Sequence, residues 1–332
     1  MLLIILEHLA MFSESAESAA LFDRTVYLAA RSLGCIAVNG FVLLSGYFGI
    51  HLRIEKLIFL DLRTVFYSYA ALAVSVVLGI YTFSPISGVK ELFPVLCKTY
   101  WFITVYFVLC IISPFLNRFL ASVGEKDLRR MLVVCGIVFY ALATFCYAIN
   151  ADQIVPDAGY GIVNFVYLYC LGYYIRNHYD DRHGWKFYAA GCFVSQLAVF
   201  VSNSVMSKIL GFRFSSFNSY NTVFVLTGAV CLFLVFKNIT VKQSSVINRI
   251  SRKTLAVYMI HFLPHLREYI FKDLLDINRL SGTGLLLAFV LLPVPIYLVC
   301  FAIDTAADLI LMPIDRLVKK IVSKYPILTK SF

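Results

Sequence analysis

The run LLIILEHLAMF, Leu2 to Phe12, holds an acid and an imidazole side by side, Glu7 and His8, in an otherwise apolar stretch. A charged side chain at bilayer depth costs at least ~2.5–3.5 kcal/mol on insertion scales, so such a residue is a functional candidate by default. Imidazole can sit there neutral, and it titrates near neutrality, which suits proton transfer. Neighbouring residues point about 100° apart around a helix, so Glu7 is not expected to orient His8. The alternative is that the pair only hydrogen-bonds to a neighbouring helix.

Three further stretches carry polar groups in apolar surroundings. In RKTLAVYMIHFLPH, Arg252 to His265, the imidazoles of His261 and His265 are spaced i, i+4 and could share a helical face. That spacing suits a metal pair, but no HExxH glutamate accompanies it, and Pro264 would distort the turn between them. His261 alone, with Tyr258 one turn before it, is the better polar-site candidate. In GCIAVNGFVLLSGYFGI, Gly34 to Ile50, four glycines (Gly34, Gly40, Gly46, Gly49) thin one helix for close approach, with Asn39 and Ser45 as its polar points. A nucleophilic Ser45 would need a base that the sequence does not identify, so helix packing is its expected role. In TYWFITVYFVLCIISPFLN, Thr99 to Asn117, Tyr100, Trp101 and Tyr106 resemble an interfacial aromatic belt, and Pro114 predicts a kink at the other end. His178 and His183, beside Asp180 and Asp181, read as a solvated loop. No Gly-rich phosphate loop is present.

Composition says what must hold these residues. The chain of 332 residues is 61% hydrophobic and 14% charged, with mean hydropathy +0.82, whereas soluble domains carry about 25% charged residues. Long apolar runs recur from end to end, which predicts an all-α polytopic membrane protein rather than a β-barrel of short alternating strands. The net charge of +10 is spread over alternate loops, a topology signal rather than a nucleic-acid surface. The first apolar run lacks a basic leader and a small-residue cleavage site, so no cleavable signal is evident. The nine cysteines are odd in number, and no two have CxxC spacing. They read as small buried hydrophobes, not as disulfides or metal ligands.

Nine runs approach the ~20 residues a spanning helix needs: roughly 32–50, 60–83, 99–120, 129–149, 160–177, 185–206, 219–237, 250–271 and 283–311. With the opening segment they predict a polytopic fold of about ten transmembrane helices in a single domain over residues 1–332. With both termini cytoplasmic, twenty of the 29 Lys and Arg residues fall inside and nine outside, which favours that orientation. The segment Ser87 to Lys98 reads as a re-entrant or interfacial piece on the outer face.

At these residues the chain resembles the acyltransferase-3 family of integral membrane acyltransferases, in particular the bacterial cell-surface O-acetyltransferases. GFVLLSGYF resembles the family's signature in the second helix and YWFITVYFVLCIISPFLN its fourth helix. SYNTVFVLTGAVCLFLVFK resembles the eighth and ISRKTLAVYMIH the ninth. The resemblance implies a ten-helix protein of the bacterial plasma membrane that moves an acyl group, usually acetyl, from cytosolic acyl-CoA. The acceptor would be a hydroxyl of an extracytoplasmic glycan or another cell-surface molecule. The family's first helix carries a basic residue, ten intervening residues and an essential His, which His8 matches. Its Arg-rich stretch before the third helix is represented here by Lys56 and Arg63 alone.

On this reading His8 acts as general base on the acceptor hydroxyl or carries the acyl group transiently; the sequence leaves both open. Arg63 and Lys56 would meet the phosphates of acyl-CoA. Asn39, Ser45 and His261 would line the path, and Tyr220 and Asn221, at the start of the eighth helix, would touch the acceptor. Acyl-CoA is the donor substrate; no bound cofactor, metal or nucleic acid is expected. The rival class is a transporter, a flippase or exporter of a lipid-linked saccharide, although no internal repeat is evident. Leu2 to Phe12 spans about 17 Å against a ~30 Å hydrocarbon core, so the first helix reads as truncated. Extension through Ser13 to Ala20 would bury Glu14 and Glu17, so the missing length, with the family's basic residue, is expected upstream of Met1.

Overall fold

The computed structural model describes residues 1–13, 20–211, 214–240 and 242–325. Glu14, Glu17, Arg213 and Lys330, which enter the topology and length arguments, lie outside the described residues. The secondary structure is helical, with no strand among the described residues. In chain order the α-helices are α1 (Leu2–Met11), α2 (Leu21–Gly34), α3 (Ala37–Phe48), α4 (Ile54–Val77), α5 (Pro85–Leu92) and α6 (Trp101–Ser122). Then come α7 (Glu125–Gly136, continued through a π-turn to Ala148), α8 (Ile162–Asn177), α9 (Trp185–Leu210) and α10 (Val223–Asn238). The last four are α11 (Ser245–Ser251), α12 (Thr254–His261), α13 (Gly282–Leu291) and α14 (Pro293–Val322). Among the described residues, seven helical segments are long and apolar enough to cross a membrane, with α1 and α13 as shorter apolar helices. The protein is a multi-pass, all-α membrane protein.

The chain forms two compact units of interleaved segments. The first comprises Met1–Arg24, His51–Ile111 and Gln243–Phe332; the second comprises Thr25–Ile50 and Ile112–Lys242.

Within the first unit α14 packs against α1, α4 and α12. Two expected spans are broken here. The run 250–271 becomes α11, then α12, which stops at His261, then a turn and a π-turn at Tyr269–Leu274. Pro264 explains the stop: it has no N–H for the ladder, and its ring would clash with the Ile260 carbonyl of a continuing helix. The run 283–311 is split at Leu292, with Pro293 opening α14. The segment Ser87 to Lys98, expected to be interfacial, begins inside α5, where Ser84 and Ser87 form a reciprocal cap and Pro85 occupies the first turn.

Within the second unit α8 lies on α3, and α10 on α9 and α3. The α3–α8 approach needs two glycines. A Cβ on Gly46 would stand 2.1 Å from the Tyr169 carbonyl oxygen, and one on Gly172 2.3 Å from that of Leu43. The thinned helix therefore works through Gly46, while Gly40 has nothing within 4 Å of its Cβ position and Gly49 ends α3 at a positive φ of 76°.

Two surface expectations fail. Tyr100 is not part of an interfacial belt but is buried at 1% exposure, its ring 6.1 Å from that of Tyr258. Asp181 is not solvated: its carboxylate receives Tyr188 Oη at 2.6 Å, Asn238 Nδ2 at 2.6 Å and Lys237 Nζ at 3.0 Å. Burial alone would raise its pKa, but these donors outweigh it and hold the carboxyl below its ordinary range. All nine cysteines are free thiols; Cys35, Cys170 and Cys300 are buried, but Cys97 is exposed.

Candidate functional site

In the first unit His8 meets His261: Nδ1 of the former lies 2.8 Å from Nε2 of the latter. The two residues come from α1 and from the last position of α12. His261 is buried, and its Nδ1 lies 2.6 Å from the Val257 carbonyl oxygen. A carbonyl can only accept, so Nδ1 of His261 carries the proton and donates it to Val257. In a neutral ring Nε2 of His261 is then an acceptor. The hydrogen between the two rings must come from Nδ1 of His8. The proton order of the neutral pair is thereby set, and the basic lone pair of His8 sits on Nε2.

The environment of the pair is aromatic. Phe262 stacks on the His8 ring at 4.1 Å between centroids and 24° between planes, and Tyr258 lies 6.3 Å away. Phe12, one turn after His8, stacks on Phe271 at 4.9 Å. The Phe262 ring stacked on the imidazole and the hydrogen bond to His261 both bear on its orientation. A base whose orientation is fixed by a second group, with its lone pair presented at the other nitrogen, is the arrangement used for proton abstraction from a hydroxyl.

His265 does not join His261 on one helical face. It lies beyond the helix end at φ 63°, and its Nε2 is 3.0 Å from Glu91 Oε1. The i, i+4 spacing meant nothing once Pro264 had ended the helix.

On α4, Lys56 and Arg63 are seven residues apart and share a face. Lys56 is exposed. Arg63 is held by two acids of α14: Nη2 to Asp308 Oδ1 at 2.5 Å and Nη1 to Asp304 Oδ1 at 3.3 Å. Lys253, at the start of α12, binds the same two carboxylates at 2.7 and 2.6 Å, and Tyr67 donates its hydroxyl to Asp304 at 2.5 Å. Two cations and two anions thus cancel around Asp304, which is fully buried. Sequence reasoning missed Tyr67, Lys253, Asp304 and Asp308. The available signal was the i, i+4 spacing of two acids in an apolar run, which demands cationic partners.

In the second unit Asn39, Tyr220 and Asn221 lie in two adjoining sets of hydrogen bonds, joined by the chain between Tyr220 and Asn221. Asn39 Nδ2 donates to the Tyr220 carbonyl at 2.8 Å, and Asn39 Oδ1 accepts from Asn164 at 3.3 Å. Tyr140 donates to Asn164 Oδ1. Asn221 accepts from Tyr147 at 3.1 Å and donates to Gln153 at 2.8 Å. Tyr220 and Asn221 do not begin α10 but precede its cap, Thr222, whose hydroxyl accepts from Val225 N. Ser45 stands apart: its hydroxyl donates to the Phe41 carbonyl one turn back at 3.0 Å, a helix-internal bond.

A family model described as an acyltransferase domain, that of acyltransferase type 3, matches residues 1–305 of the chain. Comparison with curated proteins gave no match, and comparison with solved structures gave none.

Proposed function

Because the chain belongs to the acyltransferase-3 family, we propose that it is a membrane O-acyltransferase that takes an acetyl or related acyl group from cytosolic acyl-CoA. The acceptor is a hydroxyl of an extracytoplasmic glycan or another cell-surface molecule. The observation that carries this reading is the His8–His261 pair, an oriented base at the only position where the first helix bears an imidazole.

In the base route, Nε2 of His8 removes the acceptor O–H proton as the oxygen attacks the thioester carbonyl. The tetrahedral intermediate collapses with cleavage of the C–S bond, and the imidazolium returns its proton to the departing CoA thiolate. The acyl ester and free CoA thiol are the products, with no net proton change. His261 stabilises the imidazolium by accepting from Nδ1 throughout. In the covalent route, Nε2 attacks the thioester and the C–S bond breaks to release CoA thiolate; the acceptor hydroxyl then takes the acyl group from Nε2, and its proton ends on the CoA thiolate. On the donor side, Lys56 is the accessible cation for CoA phosphates, and a phosphate would compete with Asp308 for Arg63. Asn39, Tyr220 and Asn221 would act on the acceptor side.

The test is acyl transfer by the purified protein in vesicles, using acetyl-CoA labelled in the acetyl group and candidate glycans. Free thiol and labelled ester in equal amounts support the reading. Translocation of a lipid-linked saccharide without thioester cleavage would instead favour a flippase.

A further inference from the structure

We propose that Glu91 is a positioning residue for His8, acting through His265 and the turn that ends α12. Its effect on rate rests on the acyl-transfer reading; the geometry does not.

Glu91 sits near the end of α5 and is 4% exposed. One carboxylate oxygen, Oε1, is 3.0 Å from His265 Nε2, which donates to it. The other, Oε2, is buried and has no hydrogen-bond partner among the described residues. His265 is therefore what compensates a buried carboxylate, and loss of it would leave the charge uncovered. On the α5 side of this contact, the Ser84–Ser87 cap and Pro85 fix how the short helix begins.

The His265 side is held in an uncommon conformation. Its φ of 63° lies in the left-handed region, which costs a non-glycine residue of order 1–3 kcal/mol and persists only where the surroundings enforce it. The contact with Glu91 and the Tyr81 ring at 4.3 Å are the enforcing groups.

The consequence falls on His8. The residue three before His265 is Phe262, whose ring stacks on His8, and the one before that is His261, which accepts the His8 Nδ1 proton. Only Leu263 and Pro264 lie between. The proline ring fixes one dihedral, and Leu263 is restricted because it precedes proline. A link this short and stiff passes the anchoring at His265 directly to the two groups that orient the His8 ring.

The experiment uses the full chain in nanodiscs with ring-15N-labelled histidine, the His8 signals being assigned by their loss in His8→Asn. The wild type is expected to show Nδ1 protonated and Nε2 unprotonated. Glu91→Ala and His265→Ala should each replace that signature with averaged tautomers, and the double variant should be no more affected than either alone. Glu91→Gln keeps an oxygen for the His265 N–H and should restore the signature. Turnover should fall about 10–100-fold in the two alanine variants with both KM values unchanged. An unchanged His8 signature in His265→Ala overturns the proposal, and this variant decides alone if Glu91→Ala does not fold. Loss of the signature in Glu91→Gln as complete as in Glu91→Ala overturns the hydrogen-bond route. If the signatures change as expected but the wild type transfers no acyl group, the positioning stands and the proposed function fails.

Discussion

His8 and His261 are 253 positions apart in the chain, yet Nδ1 of one lies 2.8 Å from Nε2 of the other. The Val257 carbonyl sets the direction of that hydrogen bond by accepting from the far side of His261. Truncation of His261 should therefore slow proton transfer without touching substrate affinity. His261→Ala is expected to lower kcat by about 10–100-fold, less than loss of His8, with donor and acceptor KM near wild type. Steady-state kinetics on both substrates checks this.

Lys56 and Arg63 should behave differently although both are cations on one face of α4. Lys56→Ala is expected to raise the acyl-CoA KM and leave the melting temperature alone. Arg63→Ala uncovers the buried Asp304 and the half-buried Asp308, and breaking such a buried pair costs about 3–5 kcal/mol. Its first effect should be a lowered melting temperature, followed by a raised donor KM in the protein that remains folded. Thermal melts beside donor kinetics separate the two.

Two glycines of α3 provide an internal control on packing. Gly46→Ala forces a methyl group to within 2.1 Å of the Tyr169 carbonyl, so the helices must part, at a cost of about 1–3 kcal/mol or more. Gly40→Ala meets nothing within 4 Å and should be neutral or stabilising by up to about 1 kcal/mol. Comparison of their melting temperatures in one detergent tests the close approach.

How much of this was legible beforehand varies with the range of the interaction. The all-α membrane class follows from apolar runs longer than any soluble helix requires, and His8 and His261 stood out because each is an ionisable group among apolar neighbours. Their pairing was not legible, since periodicity reports only the neighbours within one helix. Pro264 marks the His261–His265 turn as disturbed, but the partner of His265 beyond it, Glu91, is 174 positions away and no local pattern reports it. Tyr100 reads as interfacial because aromatic residues cluster at helix ends; it is buried, with the Tyr258 ring from a distant part of the chain beside it. Asp181 looked solvated because its immediate neighbours are charged, while the side chains that bury it come from α9 and α10.

That last carboxylate gives a pH prediction. Its folded pKa lies below the unfolded value of about 3.9. Its stabilising contribution is therefore complete above that value and is lost as pH falls beneath it. Asp181→Asn should melt at a lower temperature than wild type at pH 7, and the gap should narrow as the pH is taken below about 4. A gap that stays constant across that range would mean that the charge of Asp181 contributes nothing.

In the proposed reaction His8 takes the acceptor proton or the acyl group itself. The most direct measurement is acceptor-dependent release of CoA thiol by His8→Gln, purified beside wild type, with equal insertion shown by helical content and melting temperature. The account predicts turnover lower by at least about 100-fold in the variant. Wild-type turnover in a folded His8→Gln protein would contradict it and leave His8 a packing residue.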